Sequence, residues 1–140
     1  MYTSQLKRAL ERNRDTRHLW RNVVASDMLP RRIPKRPGII IANTDPSTRP
    51  GQHWVAYYFT DSCVTYFDSY GRAPASKMMR LRKNQRYFGR RIQGTGNMCG
   101  EYCLYFVLTM IYNLNFDCFG TDLEANDRLV KRLVKRYFDV

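Results

Sequence analysis

An α+β domain, with one sheet packed on a buried central helix, is the fold the sequence predicts, and three observations predict it. Gly38-Ile39-Ile40-Ile41-Ala42 is a continuous, largely β-branched run, as in a strand covered on both faces. Cys99 to Asn113 (CGEYCLYFVLTMIYN) is hydrophobic nearly all round, which marks a helix enclosed by the rest of the fold. Asp122 to Phe138 is amphipathic, with Leu129, Leu133 and Val134 inward and five basic residues between Arg128 and Arg136 outward. Strands gathered between helices at the two ends define an α+β order.

The remaining elements follow in turn. Ser4 to Arg12 predicts a short basic helix with Leu6 and Leu10 on one face, so residues 1–17 read as a basic N-terminal helix and arm on a single domain spanning 1–140. Ser26 to Pro30 is turn-like. Prolines 30, 34 and 37, interleaved with Arg31, Arg32, Lys35 and Arg36, predict an extended surface arm. Asn43 to Gly51 (NTDPSTRPG) is a loop. His53 to Phe59 and Cys63 to Asp68 predict two strands joined as a hairpin through Thr60-Asp61-Ser62, and Ser69-Tyr70-Gly71 predicts a turn. A helix is expected over Ala75 to Lys83, capped by Ser76, then a fourth strand over Arg86 to Ile92 and a loop over Gln93 to Asn97.

Composition narrows the function classes. Lys and Arg outnumber Asp and Glu by 24 to 12, a net charge of +12, which favours long-range attraction to polyanions, nucleic acid first and acidic membrane second. The opening MYTSQLKRAL lacks an apolar signal core, and no stretch is long enough to cross a bilayer, so a soluble intracellular protein with no membrane partner is expected. The four cysteines, Cys63, Cys99, Cys103 and Cys118, are accordingly expected as reduced thiols. None shows the Cys-x2-Cys spacing of a structural zinc site, so no metal is expected; Cys103, one turn after Cys99, reads as core.

One set of residues carries chemistry. A nucleophilic cysteine needs a thiolate, and a helix N-terminus stabilises one. Cys99 follows Asn97, a candidate N-cap, and so falls in the first helical turn; Gly100 beside it leaves room for a substrate backbone. Of the two histidines, His18 lies in an arginine-rich segment, whereas His53 opens a strand. Asp68 ends the next strand of the same hairpin, where an acid is placed to orient the imidazole. Gln93, six positions before Cys99 across a glycine-containing loop, can fold its amide back toward an oxyanion shared with the Cys99 backbone N–H. Each residue type taken singly is more often structural. The order His, Asp, Gln, Cys-Gly on suitable elements is what points to a catalytic cysteine.

The runs GIIIANTDPSTRPGQHWVAYYF, VTYFDSYG and QGTGNMCGEYCLYF resemble the adenovirus protease (adenain) family, in particular the adenain-like proteases of large DNA viruses and of Polinton or Maverick elements. The same clan holds the ubiquitin-like (SUMO) proteases. The likeness covers about residues 18 to 137, including WRNVVASDMLP and the Asn126-Asp127 helix. It implies a papain-like cysteine protease fold with His53, Asp68 and Cys99 as triad, Gln93 in the oxyanion hole, and Trp54 as the aromatic beside the histidine and part of the substrate cleft. The adenoviral member usually carries Glu where Asp68 stands, one more residue between Gln and Cys, and a longer C-terminal portion. It is stimulated by DNA and by a disulfide-linked peptide. No cysteine here matches that link, so peptide activation is left open, while DNA remains a candidate activator and no other cofactor is required.

The function these expectations describe is a monomeric endopeptidase cutting polypeptide substrates after small residues, often glycine, to mature viral or transposable-element structural proteins in a host nucleus or virion. Two alternatives are a ubiquitin-like protein deconjugase and a non-catalytic basic nucleic-acid-binding module. Arg82, Lys83, Arg86, Arg90 and Arg91, with Tyr87 and Phe88 between them, form the expected DNA track, and the KRLVKR face of the last helix a second basic stripe.

Overall fold

The computed structural model describes residues 1–32, 35–49, 53–78 and 85–140. Helix α1 (Thr3–Arg12) precedes strands β1 (Trp20–Ala25), β2 (Gly38–Asn43), β3 (Trp54–Phe59), β4 (Val64–Phe67) and β5 (Arg86–Tyr87), and helices α2 (Cys99–Tyr112) and α3 (Leu123–Tyr137) close the chain. The strands form one mixed sheet in the order β1-β2-β3-β4-β5, antiparallel at β2–β3 and β3–β4 and parallel at β1–β2 and β4–β5.

Alternating side chains explain why β2 reads as an unbroken apolar run. Ile39 and Ile41 point with Trp54, Ala56 and Phe67 toward the helices, whereas Ile40 and Ala42 join Val55, Tyr57, Phe59 and Val64 in a second core on the opposite face. Met78 covers that second core, and its carbonyl accepts the Tyr57 hydroxyl at 2.5 Å, so the buried phenol is satisfied. On the other side α2 is buried along most of its length and α1 contributes Leu6, Ala9 and Leu10. The amphipathic N-terminal helix is thus integral to the core. Helix α3, capped by Asp122 through the Ala125 N–H at 3.2 Å, docks Val130 and Val134. Leu129 and Leu133 are only half-buried and flank an apolar cavity of about 550 Å³, while the basic residues face outward.

Several expectations are corrected. Trp20 to Ala25 is an edge strand that the interrupting Arg21 and Asn22 conceal. The proline-rich arm is the crossover between parallel β1 and β2; it carries Leu29 into the second core, and Arg21 holds it by donating to the Lys35 and Pro37 carbonyls at 3.1 and 2.8 Å. Within the expected helix over Ala75 to Lys83, Ala75 is not helical and Ser76–Met78 forms a 3-10 turn; residues 79–83 lie outside the described residues. The fourth strand ends at Tyr87 because the chain leaves the sheet to follow the turn after β4. There the Ile92 and Gln93 N–H groups both donate to the Ser69 carbonyl, at 3.0 and 3.2 Å.

Candidate active site

The hairpin places the candidate base, His53, and the candidate orienting acid, Asp68, at its open end. In the β3–β4 register Ala56 faces Phe67 and Tyr57 faces Tyr66, so continuing the ladder sets His53 opposite Tyr70 with Asp68 as its diagonal neighbour on the same face. The geometry agrees. Tyr70 stacks on the imidazole with ring centroids 4.6 Å apart, and His53 Nε2 lies 2.7 Å from Asp68 Oδ1. Asp68 is 3% exposed and also accepts the Tyr70 N–H at 2.8 Å and Arg72 Nε at 3.2 Å. Those three donors fix the carboxylate, and its bond to Nε2 leaves Nδ1 for a second partner.

The group that neighbours His53 there is Cys99, the first residue of α2, whose thiol lies by the imidazole and the Trp54 backbone N–H. The helix cap is Met98 and not Asn97, and it supplies no side-chain hydrogen bond. The first-turn N–H groups therefore remain available to a negative charge at the sulfur or beside it. Gln93 is 1% exposed. Its Oε1 accepts Ser69 Oγ at 2.5 Å and its Nε2 donates to the Gly96 carbonyl at 2.8 Å, with the Tyr70 hydroxyl at 3.5 Å. Ser69 sets which end of the amide faces the Gly96 carbonyl, a role the sequence hides inside a turn.

The charges follow from these contacts. Burial pushes the His53 pKa down, but the bonds to Asp68 and Cys99 and their negative charges outweigh it and raise the value to about 9. Burial works against the Cys99 thiolate as well; the His53 bond, the Trp54 N–H and the imidazolium charge prevail and hold the thiol below its ordinary value. Asp68, despite its burial, is held below the usual carboxylate range by His53, the Tyr70 N–H and Arg72. Both shifts run in the direction that favours a thiolate beside an imidazolium. By contrast, burial and the neighbouring Cys99 charge push the Cys103 thiol well up, so it stays protonated core.

A pH profile follows. kcat/KM for a cleaved peptide should fall above about pH 9 as His53 loses its proton, and fall on the acid side as Cys99 gains one. His53 is raised above its ordinary 6.5, so its contribution to stability is complete below 6.5 and is lost as pH rises through about 9. NMR titration checks the coupling: in Cys99→Ala the His53 pKa should drop, because the sulfur partner and its charge are gone.

The residues expected in the cleft, Trp54 and Gly100, both lie against Met1. Trp54 Nε1 donates to the Met1 carbonyl at 3.0 Å, and both residues line a cleft of about 430 Å³ with Asn43, Asp45 and Ser47. Gly100 faces Met1: a Cβ there would stand 3.0 to 3.2 Å from the Met1 side chain, so its bareness gives Met1 room. His18 is exposed in the turn before β1. In the expected DNA track, Arg86, Arg90 and Arg91 are exposed, and Arg82 and Lys83 lie outside the described residues. Arg90 donates to the Phe116 and Phe119 carbonyls at 3.1 and 3.2 Å, and Arg91 to Gln93 and Gly94 at 2.9 and 3.3 Å, so both also brace loops. Among the described residues, no cluster of His, Cys, Asp and Glu is arranged to hold a metal ion.

No protein-family model matches the chain, and no curated protein matches it. Among solved structures, the chain is similar to a crystal structure of the ASFV pS273R protease, with a TM-score of 0.54 and 22% sequence identity over 76% of this chain. The match spans 46% of that protein's length, less than half. The α+β arrangement predicted from the sequence, one mixed sheet against a buried central helix, is therefore a fold shared with that protease.

Proposed function

We propose that the chain is a cysteine endopeptidase. The observation that carries this reading is the buried His53–Asp68 pair next to Cys99 at the head of α2, with the Gln93 amide held by Ser69. Cys99 Sγ attacks the scissile carbonyl carbon, and the oxyanion is received by Gln93 Nε2 and the Cys99 backbone N–H. The His53 imidazolium protonates the leaving amine, giving an acyl-enzyme. His53 then takes a proton from water, whose oxygen attacks the thioester and releases the acid.

Preference for small residues at the cut fits the tight setting of Cys99, 7% exposed beside Trp54 at 7%. The resemblance to adenain-like enzymes and the similarity to a viral protease support maturation of viral or mobile-element structural proteins as the role. Among the described residues no helix is long and apolar enough to cross a membrane. A glycine-ending peptide bearing a vinyl sulfone, followed by peptide mapping, tests the reading: Cys99 is the expected site of addition, and labelling confined to the other three cysteines overturns it. Cleavage of glycine-containing peptides against cleavage of a folded ubiquitin-like conjugate separates an endopeptidase from a deconjugase.

The exposed stripe Arg128, Lys131, Arg132 and Lys135 on α3 supports nucleic acid as a second partner. Each neutralised phosphate contributes about −0.9 to the slope of log affinity against log salt, so four contacts give roughly −3 to −4. Titration of duplex DNA at several salt concentrations should show that slope, and Lys131→Glu with Arg132→Glu should flatten it by about two. Salt-insensitive or absent binding removes nucleic acid from the partners and leaves the protease reading intact.

A further inference from the structure

We propose that Asn126 and Asp127 of α3 are positioning residues that set the oxyanion loop, holding Gln93 through its two chain neighbours; the proposal rests on the protease reading above. The neighbours are gripped separately. Asn126 Nδ2 donates to the Ile92 carbonyl at 3.0 Å, and Asp127 Oδ1 accepts the Gly94 N–H at 3.0 Å. The Tyr102 hydroxyl, on α2, stands 2.7 Å from the same Asp127 oxygen and 3.0 Å from the Ile92 carbonyl, closing the contact between the two helices and the loop. Gly94 is required by this arrangement, since a Cβ there would lie 2.7 Å from Asp127 Oδ2.

Asn126 is committed to the task. It is buried, and its amide also spans Gly120, donating to the carbonyl at 2.9 Å and accepting the N–H at 2.9 Å. That ties the start of α3 to the loop entering it while one N–H reaches Ile92. On its other side Gln93 is held by Ser69, through the backbone N–H at 3.2 Å and the side chain at 2.5 Å. The amide that must meet the oxyanion is thereby fixed from the sheet by Ser69 and from the helices by Asn126 and Asp127. A preorganised donor is effective only in place, and a displacement of about 1 Å costs on the order of 100-fold in rate.

The placement of α3 itself does not depend on Asp127, because Val130 and Val134 are buried in the core. Asp127→Ala should therefore lower kcat by about 10- to 100-fold with KM changed less than twofold, within the ceiling set by losing the glutamine donor. Asp127→Asn, which keeps an acceptor oxygen facing Gly94, should recover most of that loss. In a Gln93→Ala background, Asp127→Ala should add nothing, since both act on one group. The alkylation rate of Cys99 by iodoacetamide, which needs the thiolate but no oxyanion site, should stay at the parental value in Asp127→Ala.

An unchanged kcat, a full additional loss in the Gln93→Ala background, or a parallel fall in alkylation would each overturn the positioning role. A second measurement stands apart from cleavage. In Asp127→Ala the Gly94 backbone N–H should exchange faster and the Gln93 side-chain amide resonances should shift. If the parent cleaves no peptide, the protease reading fails while these amides still decide the clamp: unchanged exchange and shifts dismiss it.

Discussion

Cys99→Ala is expected to abolish peptide hydrolysis, with a fall in kcat on the order of 10⁶-fold, and His53→Ala to fall comparably. The two act as one unit, since an imidazolium at His53 favours the thiolate and a thiolate at Cys99 favours the imidazolium. The double variant should accordingly be no worse than either single one. The alanine at 99 removes only a sulfur from the head of a helix that is otherwise anchored by its buried length, so the folded state should persist by circular dichroism. A Cys99→Ala protein cleaving at a rate comparable to the parent would end the cysteine-protease reading.

Gln93→Ala should lower kcat by about 100- to 1,000-fold, as expected for loss of one oxyanion donor, with KM little affected because the ground-state carbonyl gains less from that donor. Thiol alkylation at Cys99 should be preserved, which separates a lost oxyanion site from a damaged nucleophile. The variant also strands the Ser69 hydroxyl, which is fully buried and loses its acceptor. Ser69→Ala in the Gln93→Ala background should therefore restore some thermal stability without restoring activity, because removing both partners of a buried bond costs less than leaving one unmet. Steady-state kinetics on a chromogenic peptide and a melting curve read both effects. A kcat within threefold of the parent would remove Gln93 from the oxyanion hole.

The sequence made the buried parts of this molecule legible and left its edges obscure. Strands β2 to β4 and helix α2 could be read because burial imposes continuous or alternating apolar patterns on them. Strand β1 escaped because it is a half-covered edge with Arg21 and Asn22 inside it, and β5 was overextended because Arg86 to Ile92 has strand-like residues that hydrogen bonds to Ser69 pull off the sheet. His53, Asp68, Gln93 and Cys99 were readable from element ends and order. Their supports were not, since Met1 reaches Gly100, and Asp127 reaches Gly94, only through the tertiary fold. Asn126 did leave a signal. It shares a helical stripe with Val130 and Val134, four and eight residues on, and an amide on an apolar stripe needs a buried partner.

The hairpin has a consequence for when activity can arise. His53, Asp68 and Tyr70 share one face only in the pairing that sets Ala56 against Phe67, and the turn that fixes it, closed by the Thr60 N–H to the Cys63 carbonyl at 2.9 Å, lies at the far end of both strands. A slip of one residue would send Asp68 and Tyr70 to the side away from the imidazole. Under the protease reading, peptidolysis would report strand registration: nascent or misaligned chains would be silent, and the nucleophile would be switched on by the last zippered rung.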